Sequence, residues 1–426
     1  MIGIRFIGRW RMAPASFFLL FCSLGNAIGA ILLPMDTVQT DHLRAYGLAY
    51  WSLQKGWSVE WLLNYRGGSF LLEGHDDLER KAKLLGVHFE AITPDQALEI
   101  QKVIQESNME SVRLETAPRV AIYSPPHRSP WDDAVTLALT YAEIPFTTLW
   151  DEEVLAGQLD RYDWLHLHHE DFTGQFSKFY INYRQAGWFL EELTLNREMA
   201  ARNGFSKVST LKGEVAAMID RYVRNGGFLF AMCSASETFE IALAARGVDI
   251  VPAEGDDDPP DPAAQSKISF ENCLAFTDFQ LEFDPTVNAF SSIDGHRVNT
   301  PGRKPLGSFR LFDFSAKFDP VPAMLTQCHQ RIIGDFYGLT TSFHRAALKN
   351  SVVILAEEDG KPWVKYIHGN IGQGTFTFLG GHDPEDEEHA IGDLPTRLEL
   401  HKSSPGYRLI LNNVLFPGAK EVKLKT

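Results

Sequence analysis

The feature that most constrains the fold is an alternation of short apolar runs with helical patterns from residue 118 onward. Residues 119–124, 145–150 and 164–169 have the composition of strands, and a helical stretch at 211–224 leads into another apolar run at 228–232. Strands separated by helical patterns of ten to fifteen residues indicate βαβ units and a parallel sheet. The sequence therefore predicts an α/β fold built on a parallel sheet.

Two regions depart from this alternation. Residues 36–117 predict an N-terminal extension made of helices and a glycine-rich hairpin. Residues 252–320 begin as an acidic, proline-rich loop and continue as strand-like pieces, which predicts an inserted β subdomain. Strands predicted at 351–358 and 375–381 restore the sheet, joined by a hairpin with its turn at Asp359-Gly360.

The main domain is predicted to span residues 118–420 and to close with a helix. Ser404 is the expected N-cap of that helix, and Pro405 takes its first position, where a missing N–H costs nothing. A chain of 426 residues can bury a large core for such a domain without disulfides or metals.

The first thirty residues have the composition of an export signal. Arg5, Arg9 and Arg11 precede an apolar run that ends among small residues. This order predicts a secretory signal peptide over residues 1–30 and a periplasmic or secreted mature protein. The alternative is an uncleaved signal anchor, since the apolar stretch approaches the length that spans a bilayer.

The charge balance restricts the partners. The chain has a net charge of −15, and removing residues 1–30 takes away three basic and no acidic residues, which leaves −18. An acidic surface argues against nucleic acids and anionic membranes as partners. We therefore expect a small-molecule or carbohydrate substrate, and contact with a membrane only through the signal segment if it is uncleaved.

Three cysteines follow the predicted signal peptide: Cys233, Cys273 and Cys328. In an oxidising compartment an odd number suggests one disulfide and one free thiol. A pair between Cys273 and Cys328 would leave Cys233 free.

Candidate functional residues follow the predicted strands. Ligands of open parallel sheets bind outside the carboxyl ends of the strands. The side chains singled out at these ends are His127, His168, His169, Glu170, Asp171, Cys233, Ser234, His382 and Glu385.

Cys233 lies where a strand gives way to a helix. Ser234 and Glu237 have the spacing of a capping box, which places the thiol beside a helix N-terminus and predicts a lowered pKa. His382 would then act as its base, oriented by Glu385 or Asp383. The alternative is that Cys233 only fills the strand–helix junction as a small apolar side chain.

The stretch "HLHHED" supports a second chemistry. Alternation along the strand places His166 and His168 on one side and His169 on the other. His168, His169, Glu170 or Asp171 could bind a metal with His127 or His382, or could simply hydrogen-bond to one another. No fixed-spacing zinc signature is present, and no glycine pattern matches a nucleotide loop. The sequence therefore predicts no cofactor and assigns no metal.

Residues 118–418 resemble the class I glutamine amidotransferase-like superfamily, and within it the ThuA-like branch. This resemblance implies that the α/β fold is a flavodoxin-like parallel sheet with helices on both faces. The resemblance lies in "RYVRNGGFLFAMCSASETF", "GNIGQGTFTFLGGHDPED" and "SPGYRLILNNVLF". The chain after its signal segment, including "WLLNYRGGSFLL" and "WLHLHHEDFTGQ", also resembles an exported bacterial family often labelled asparagine synthetase B.

The amidotransferase resemblance implies Cys233 as nucleophile, His382 as base and Glu385 as the third member. The asparagine synthetase label implies an N-terminal cysteine after Met1 and an SGGxDS-like ATP loop, whereas this chain has Ile2 and no such loop. ATP-dependent synthesis is therefore rejected as a mechanism.

Two functions are consistent with these residues. The first is an exported Cys–His hydrolase or amidase, in which the N–H region at Ser234 holds the oxyanion. The second is a ThuA-like carbohydrate-binding or metal-assisted sugar-processing protein without cysteine catalysis. It would use the "HHED" strand end and exposed aromatic rings such as Trp131 and Phe172.

Overall fold

The computed structural model describes residues 29–126, 133–295, 307–386 and 394–419. Its strands are β1 (Ala30–Leu33), β2 (Val59–Leu63), β3 (Ser69–Glu73), β4 (Glu90–Ile92), β5 (Glu110–Leu114), β6 (Val120–Tyr123), β7 (Phe146–Leu149), β8 (Trp164–Leu167), β9 (Phe228–Met232), β10 (Ser308–Leu311), β11 (Ile332–Gly334), β12 (Phe343–His344), β13 (Val353–Glu358), β14 (Trp363–Ile371) and β15 (Gly374–Leu379). Its α-helices are α1 (His42–Gln54), α2 (Asp76–Leu85), α3 (Pro94–Glu106), α4 (Ala134–Tyr141), α5 (Asp151–Leu155), α6 (Ser177–Tyr183), α7 (Gly187–Arg202), α8 (Val208–Arg224), α9 (Ala235–Ala244), α10 (Ala253–Asp256), α11 (Ala264–Lys267), α12 (Pro320–Leu325) and α13 (Pro405–Leu415).

The larger sheet is mixed, so the prediction of a flavodoxin-like parallel sheet is wrong. Its order is β11-β10-β13-β14-β15-β9-β8-β6-β7, with β12 paired to β14. Neighbours from β7 to β15 are parallel, whereas β10 to β14 pair antiparallel with one another and with β15. The reason lies in the connections, because tight turns can join only antiparallel strands whereas parallel strands need long crossovers.

The predicted hairpin at Asp359-Gly360 exists, but it joins β13 to β14 rather than to the run at 375–381. β14 was not anticipated, because polar residues such as Lys365 and Asn370 interrupt its apolar pattern. A second tight turn then leads from β14 into β15. Two consecutive hairpins therefore give this half of the sheet its antiparallel pairing.

The inserted β subdomain predicted over 252–320 is also wrong. The described parts of this region contain one strand, β10, and otherwise short helices and extended segments. The carboxylate of Glu240 on α9 accepts backbone N–H groups of Leu274, Ala275 and Phe276. Burial raises the pKa of Glu240 to about 7. The Glu240 carboxylate thus accepts backbone N–H groups that a neighbouring strand would otherwise accept. The apolar residues that carry these N–H groups therefore form no β-ladder.

Residues 30–114 contain a second sheet, which has five antiparallel strands in the order β4-β1-β3-β2-β5. The predicted glycine-rich hairpin is confirmed as β2 and β3. Arg408 of α13, fully buried, donates to the carbonyls of Met35 and Gly67 and so ties this sheet to the closing helix. Of the predicted signal peptide, residues 1–28 lie outside the described residues. Among the helices that the structure describes, none is long and apolar enough to cross a bilayer.

The closing helix α13 begins as predicted. Ser404 is its N-cap, its hydroxyl accepts the N–H of Tyr407 at 3.3 Å, and Pro405 is the first helical residue. The disulfide that could have joined Cys273 and Cys328 is not formed, because both are free thiols. They lie in different clusters of the hydrophobic core.

Candidate functional site

Two of the parallel strands end in histidines. β8 is followed directly by His168 and His169, and β15 is followed by two glycines and then His382. Because β8, β9 and β15 are parallel neighbours, their carboxyl ends meet at one edge of the sheet. All three imidazoles are buried there. The structure thus brings together three of the side chains that the sequence singled out.

The three imidazoles are close enough to act on one atom. One nitrogen from each of His168, His169 and His382 lies within 4.8 Å of those of the other two. The rings of His168 and His382 meet edge to face with centroids 4.1 Å apart, and that of His169 stacks on His382 at 5.7 Å. A Cβ at Gly380 would lie 2.2 Å from the carbonyl oxygen of Thr341, so glycine is required for the chain to reach this position.

A carboxylate and a fourth histidine stand behind His168. Asp133 Oδ2 lies 3.3 Å from His166 Nε2, and Asp133 Oδ1 lies 3.5 Å from His168 Nδ1. The two imidazoles are themselves in contact, with Nε2 of His166 3.2 Å from Nδ1 of His168. Asp133 and His166 were noted at strand ends but not chosen as site residues. The signal was present, because strand alternation put His166 on the same side as His168.

The hydrogen-bond partners fix the tautomers of this pair. His166 Nδ1 lies 3.1 Å from the carbonyl oxygen of Phe230, which can only accept, so Nδ1 carries the proton. Nε2 of His166 lies between the Asp133 carboxylate and Nδ1 of His168. His168 Nδ1 faces the carboxylate of Asp133, an acceptor, which places the proton of neutral His168 on Nδ1 and its lone pair on Nε2.

Cys233 occupies the turn between β9 and α9 in a strained conformation. Its φ is +51°, in the left-handed region that residues other than glycine rarely adopt. Its N–H donates to the carbonyl of Gly381 at 3.1 Å, and its Sγ accepts the N–H of Leu339 at 3.3 Å. The side chain is fully buried, and this burial raises the pKa of the thiol. The prediction of a lowered pKa is therefore wrong.

The predicted capping box after Cys233 is not formed. The hydroxyl of Ser234 donates to the carbonyl of His169 at 2.9 Å and makes no cap bond. Glu237 does not reach back to the start of the helix; its carboxylate accepts from Lys178 and from the hydroxyl of Thr340. The local sequence assigned the Glu237 side chain to the helix cap, but its carboxylate forms a tertiary ion pair instead.

The two acidic residues of "HHED" have different surroundings. The carboxylate of Asp171 accepts the N–H groups of Thr173 and Phe176 at 2.7 and 2.6 Å, so it shapes its own loop. Burial raises the pKa of Asp171. Glu170 accepts the N–H of His168 at 3.4 Å and lines the adjacent pocket.

Four further predicted residues are Glu385 and Phe172, which the structure describes, and His127 and Trp131, which it does not. The carboxylate of Glu385 lies 2.9 Å from His401 Nδ1. Phe172, expected to be an exposed aromatic platform, is fully buried in the core. His127 and Trp131 lie outside the described residues.

A pocket of about 340 Å³ borders the histidines. Asp133, His169 and Glu170 belong to both the pocket wall and the site. The rest of the wall combines polar and apolar side chains. The polar ones are Ser124, Thr136, Thr148, Glu152, Glu153 and Arg202, and the apolar ones are Ile122, Pro125, Pro126, Phe146, Leu149, Trp150 and Met199. A pocket of this size and mixed lining suits a small ligand that carries polar groups.

Neither a family model nor a curated protein sequence matches the chain. Among solved structures, the cytoplasmic protein STM3548 from Salmonella typhimurium shares 11% identity over 71% of this chain and 100% of its own, with a TM-score of 0.35. The beta-galactosidase from Bacillus circulans sp. alkalophilus shares 12% identity over 78% of this chain and 36% of its own, with a TM-score of 0.27. Similarities of this size establish neither a shared fold nor a shared activity.

Proposed function

We propose that the chain is an exported hydrolase of a small polar substrate, and that its imidazole cluster, rather than Cys233, activates the attacking water. The observation that supports this most directly is the convergence of His168, His169 and His382, of which His169 lines a pocket with polar and charged groups in its wall. Imidazoles are the side chains most often used to move protons near neutral pH. A buried group of three at a strand-end pocket therefore fits hydrolysis better than passive binding.

The hydrogen bonds behind His168 support a catalytic role for it. Because its Nδ1 faces His166 and the carboxylate of Asp133, its Nε2 atom is the one that carries the lone pair. This arrangement parallels the carboxylate-oriented histidine of many hydrolytic sites, in which a fixed tautomer aims the reactive nitrogen. Substrate would enter through the pocket that Asp133, His169 and Glu170 line.

A second candidate is a cysteine-dependent amidase, and the backbone of Cys233 favours it. A non-glycine residue at φ +51° between a strand and a helix has the geometry of a nucleophile elbow. Its thiol is fully buried, and this burial raises its pKa, which argues against a reactive thiolate. We therefore rank it second.

One pair of variants separates the two candidates. Purified protein would be screened against chromogenic amides, esters and glycosides, and the best substrate used for kinetics. We expect His168→Gln to lower kcat/KM by about 10²–10⁴-fold, the usual contribution of a general acid or base. Cys233→Ala should leave kcat/KM nearly unchanged.

The reverse pattern, with Cys233→Ala inactive and His168→Gln active, would replace the first candidate by the amidase. Absence of hydrolysis across all three substrate classes would exclude both. Near-ultraviolet circular dichroism of each variant would establish that it remains folded.

A further inference from the structure

We infer that His168, His169 and His382 together bind one divalent metal ion, for which zinc is the best match. This inference rests on the proposed function, because it names what activates the water in the hydrolase. It concerns only side chains that the structure brings together from the ends of β8 and β15.

The spacing of the donors fits a single ion. Zinc–nitrogen bonds of about 2.0–2.1 Å in a tetrahedral site place two ligand nitrogens roughly 3.3 Å apart. The three nitrogens already lie within 4.8 Å of one another. The separations therefore exceed the value for a bound ion by at most about 1.5 Å, which rotation of the imidazoles about their side-chain bonds would have to close.

The type and number of the donor atoms indicate which metal ion binds and whether its role is catalytic or structural. Imidazole suits zinc and other late first-row metals, whereas magnesium and calcium prefer oxygen ligands. Three histidines occupy three of the four positions around zinc and leave one for water, the arrangement of catalytic rather than structural sites. Zinc lowers the pKa of such a water to about 7, which would supply the nucleophile at neutral pH.

The surroundings of His168 match those of a metal ligand. Metal-bound histidines usually donate their other N–H to a carboxylate or another acceptor, which fixes the tautomer and orients the ring. His168 Nδ1 faces Asp133 and His166 in this way. Asp133 is itself held in place, because its Oδ1 accepts the N–H groups of Val135 and Thr136 at the start of α4.

A second group, Asp133, His166 and His168, also has its donor atoms within 4.8 Å of one another. It is less suited to an ion. His166 is fully buried against the rings of Trp164 and Phe230, and its Nδ1 already faces the Phe230 carbonyl. The carboxylate of Asp133 already caps α4. This group therefore supports His168 rather than replacing the three-histidine site.

The test is titration of the metal-free full chain with ZnCl₂ by isothermal calorimetry, together with the visible spectrum of the Co²⁺ form. We expect one equivalent of zinc to bind and Co²⁺ to give the intense bands of a tetrahedral site. His169→Ala and His382→Ala should each weaken zinc binding by at least the roughly 100-fold that loss of an outer-shell partner can cost. His88→Ala, which changes a partly exposed histidine outside the site, is the matched control.

Asp133→Asn is a second variant that is expected to remain folded, because asparagine caps a helix as well as aspartate does. It keeps the inference testable if the histidine variants fail to fold. It should weaken zinc binding by about 10–100-fold and alter the Co²⁺ spectrum without loss of α4. Equal affinity in wild type, His169→Ala and His382→Ala would overturn the site. So would a loss confined to His166→Ala, which would assign the ion to the second group.

The outcomes for metal and for function are separable. Zinc binding that depends on His169 and His382, without hydrolysis of any substrate tested, would retain the metal site and reject the hydrolase. Hydrolysis that survives complete removal of metal by a chelator would retain the proposal of a hydrolase. It would reject the inference that a bound metal activates the water.

Discussion

Replacing Lys178 by methionine is expected to lower the free energy of unfolding by about 3–5 kcal/mol. The Lys178 ammonium is buried and donates to Asp294 at 2.8 Å, to Glu237 at 3.3 Å and to the carbonyl of Leu339 at 2.6 Å. Burial lowers the pKa of Lys178, but the two carboxylates outweigh it and the net pKa is raised. Methionine would therefore leave two buried carboxylates facing each other without their cation.

Chemical denaturation followed by circular dichroism would measure this loss. Lys81→Met is the matched control, since it breaks a partly exposed ion pair with Glu143 and should cost no more than about 1 kcal/mol. Adding Glu237→Gln and Asp294→Asn to Lys178→Met should recover part of the stability. If Lys178→Met is as stable as Lys81→Met, the ion cluster does not hold this part of the fold.

The same cluster connects stability to the candidate site. Lys178 and Glu237 both bind the segment at Leu339 and Thr340, whose backbone contacts the sulfur of Cys233. A reagent specific for thiols should consequently modify Cys233 faster in Lys178→Met than in wild type, because the covering segment is less firmly held.

Acid is expected to destabilise the protein between pH 6.5 and 4, partly through His368. Burial lowers the pKa of His368 from 6.5 to about 4. Above pH 6.5 the imidazole is neutral in both states and its contribution to stability is complete. As the pH falls, the unfolded chain takes up a proton that the folded chain excludes, so by pH 4 about 3 kcal/mol is lost. His42 and His329, with pKa values of about 3 and about 4, act in the same direction.

Denaturation curves at several pH values would test this slope. His368→Gln removes the titrating group while keeping an amide that can donate to the carbonyl of Phe376, as His368 Nδ1 does. Its stability should therefore fall less steeply below pH 6.5 than that of the wild type. Parallel curves for His368→Gln and wild type would contradict the assignment.

Local patterns were sufficient for several elements of the fold. The cap at Ser404 and the first-turn proline at 405 were correctly placed, because both depend on residues within one helical turn. The strands β6, β8 and β9 were found from their apolar runs, and with them the strand ends that carry His168, His169 and Cys233. The candidate site was therefore visible as a set of strand ends before any contact was known.

Contacts between distant parts of the chain decided the rest. Whether Cys233 is a reactive thiolate depends on Leu339, whose N–H meets the sulfur, and on burial that the sequence around Cys233 does not reveal. The capping box failed because Lys178 and Thr340 bind Glu237. The parallel-sheet prediction failed because hairpins on both sides of β14 pair it antiparallel with β13 and with β15. The polar residues within β14 mask its strand pattern, so the sequence did not indicate this strand.

The sequence by itself determined which side chains stand at the ends of the strands, because alternation and capping act over a few neighbouring residues. Only the tertiary structure decided which of these side chains meet. His382 joins His168 and His169 because β15 pairs parallel with β9 and β9 with β8. Asp133 joins them because α4 begins beside β8. These distances depend on strand order and on long-range packing, which no local pattern encodes.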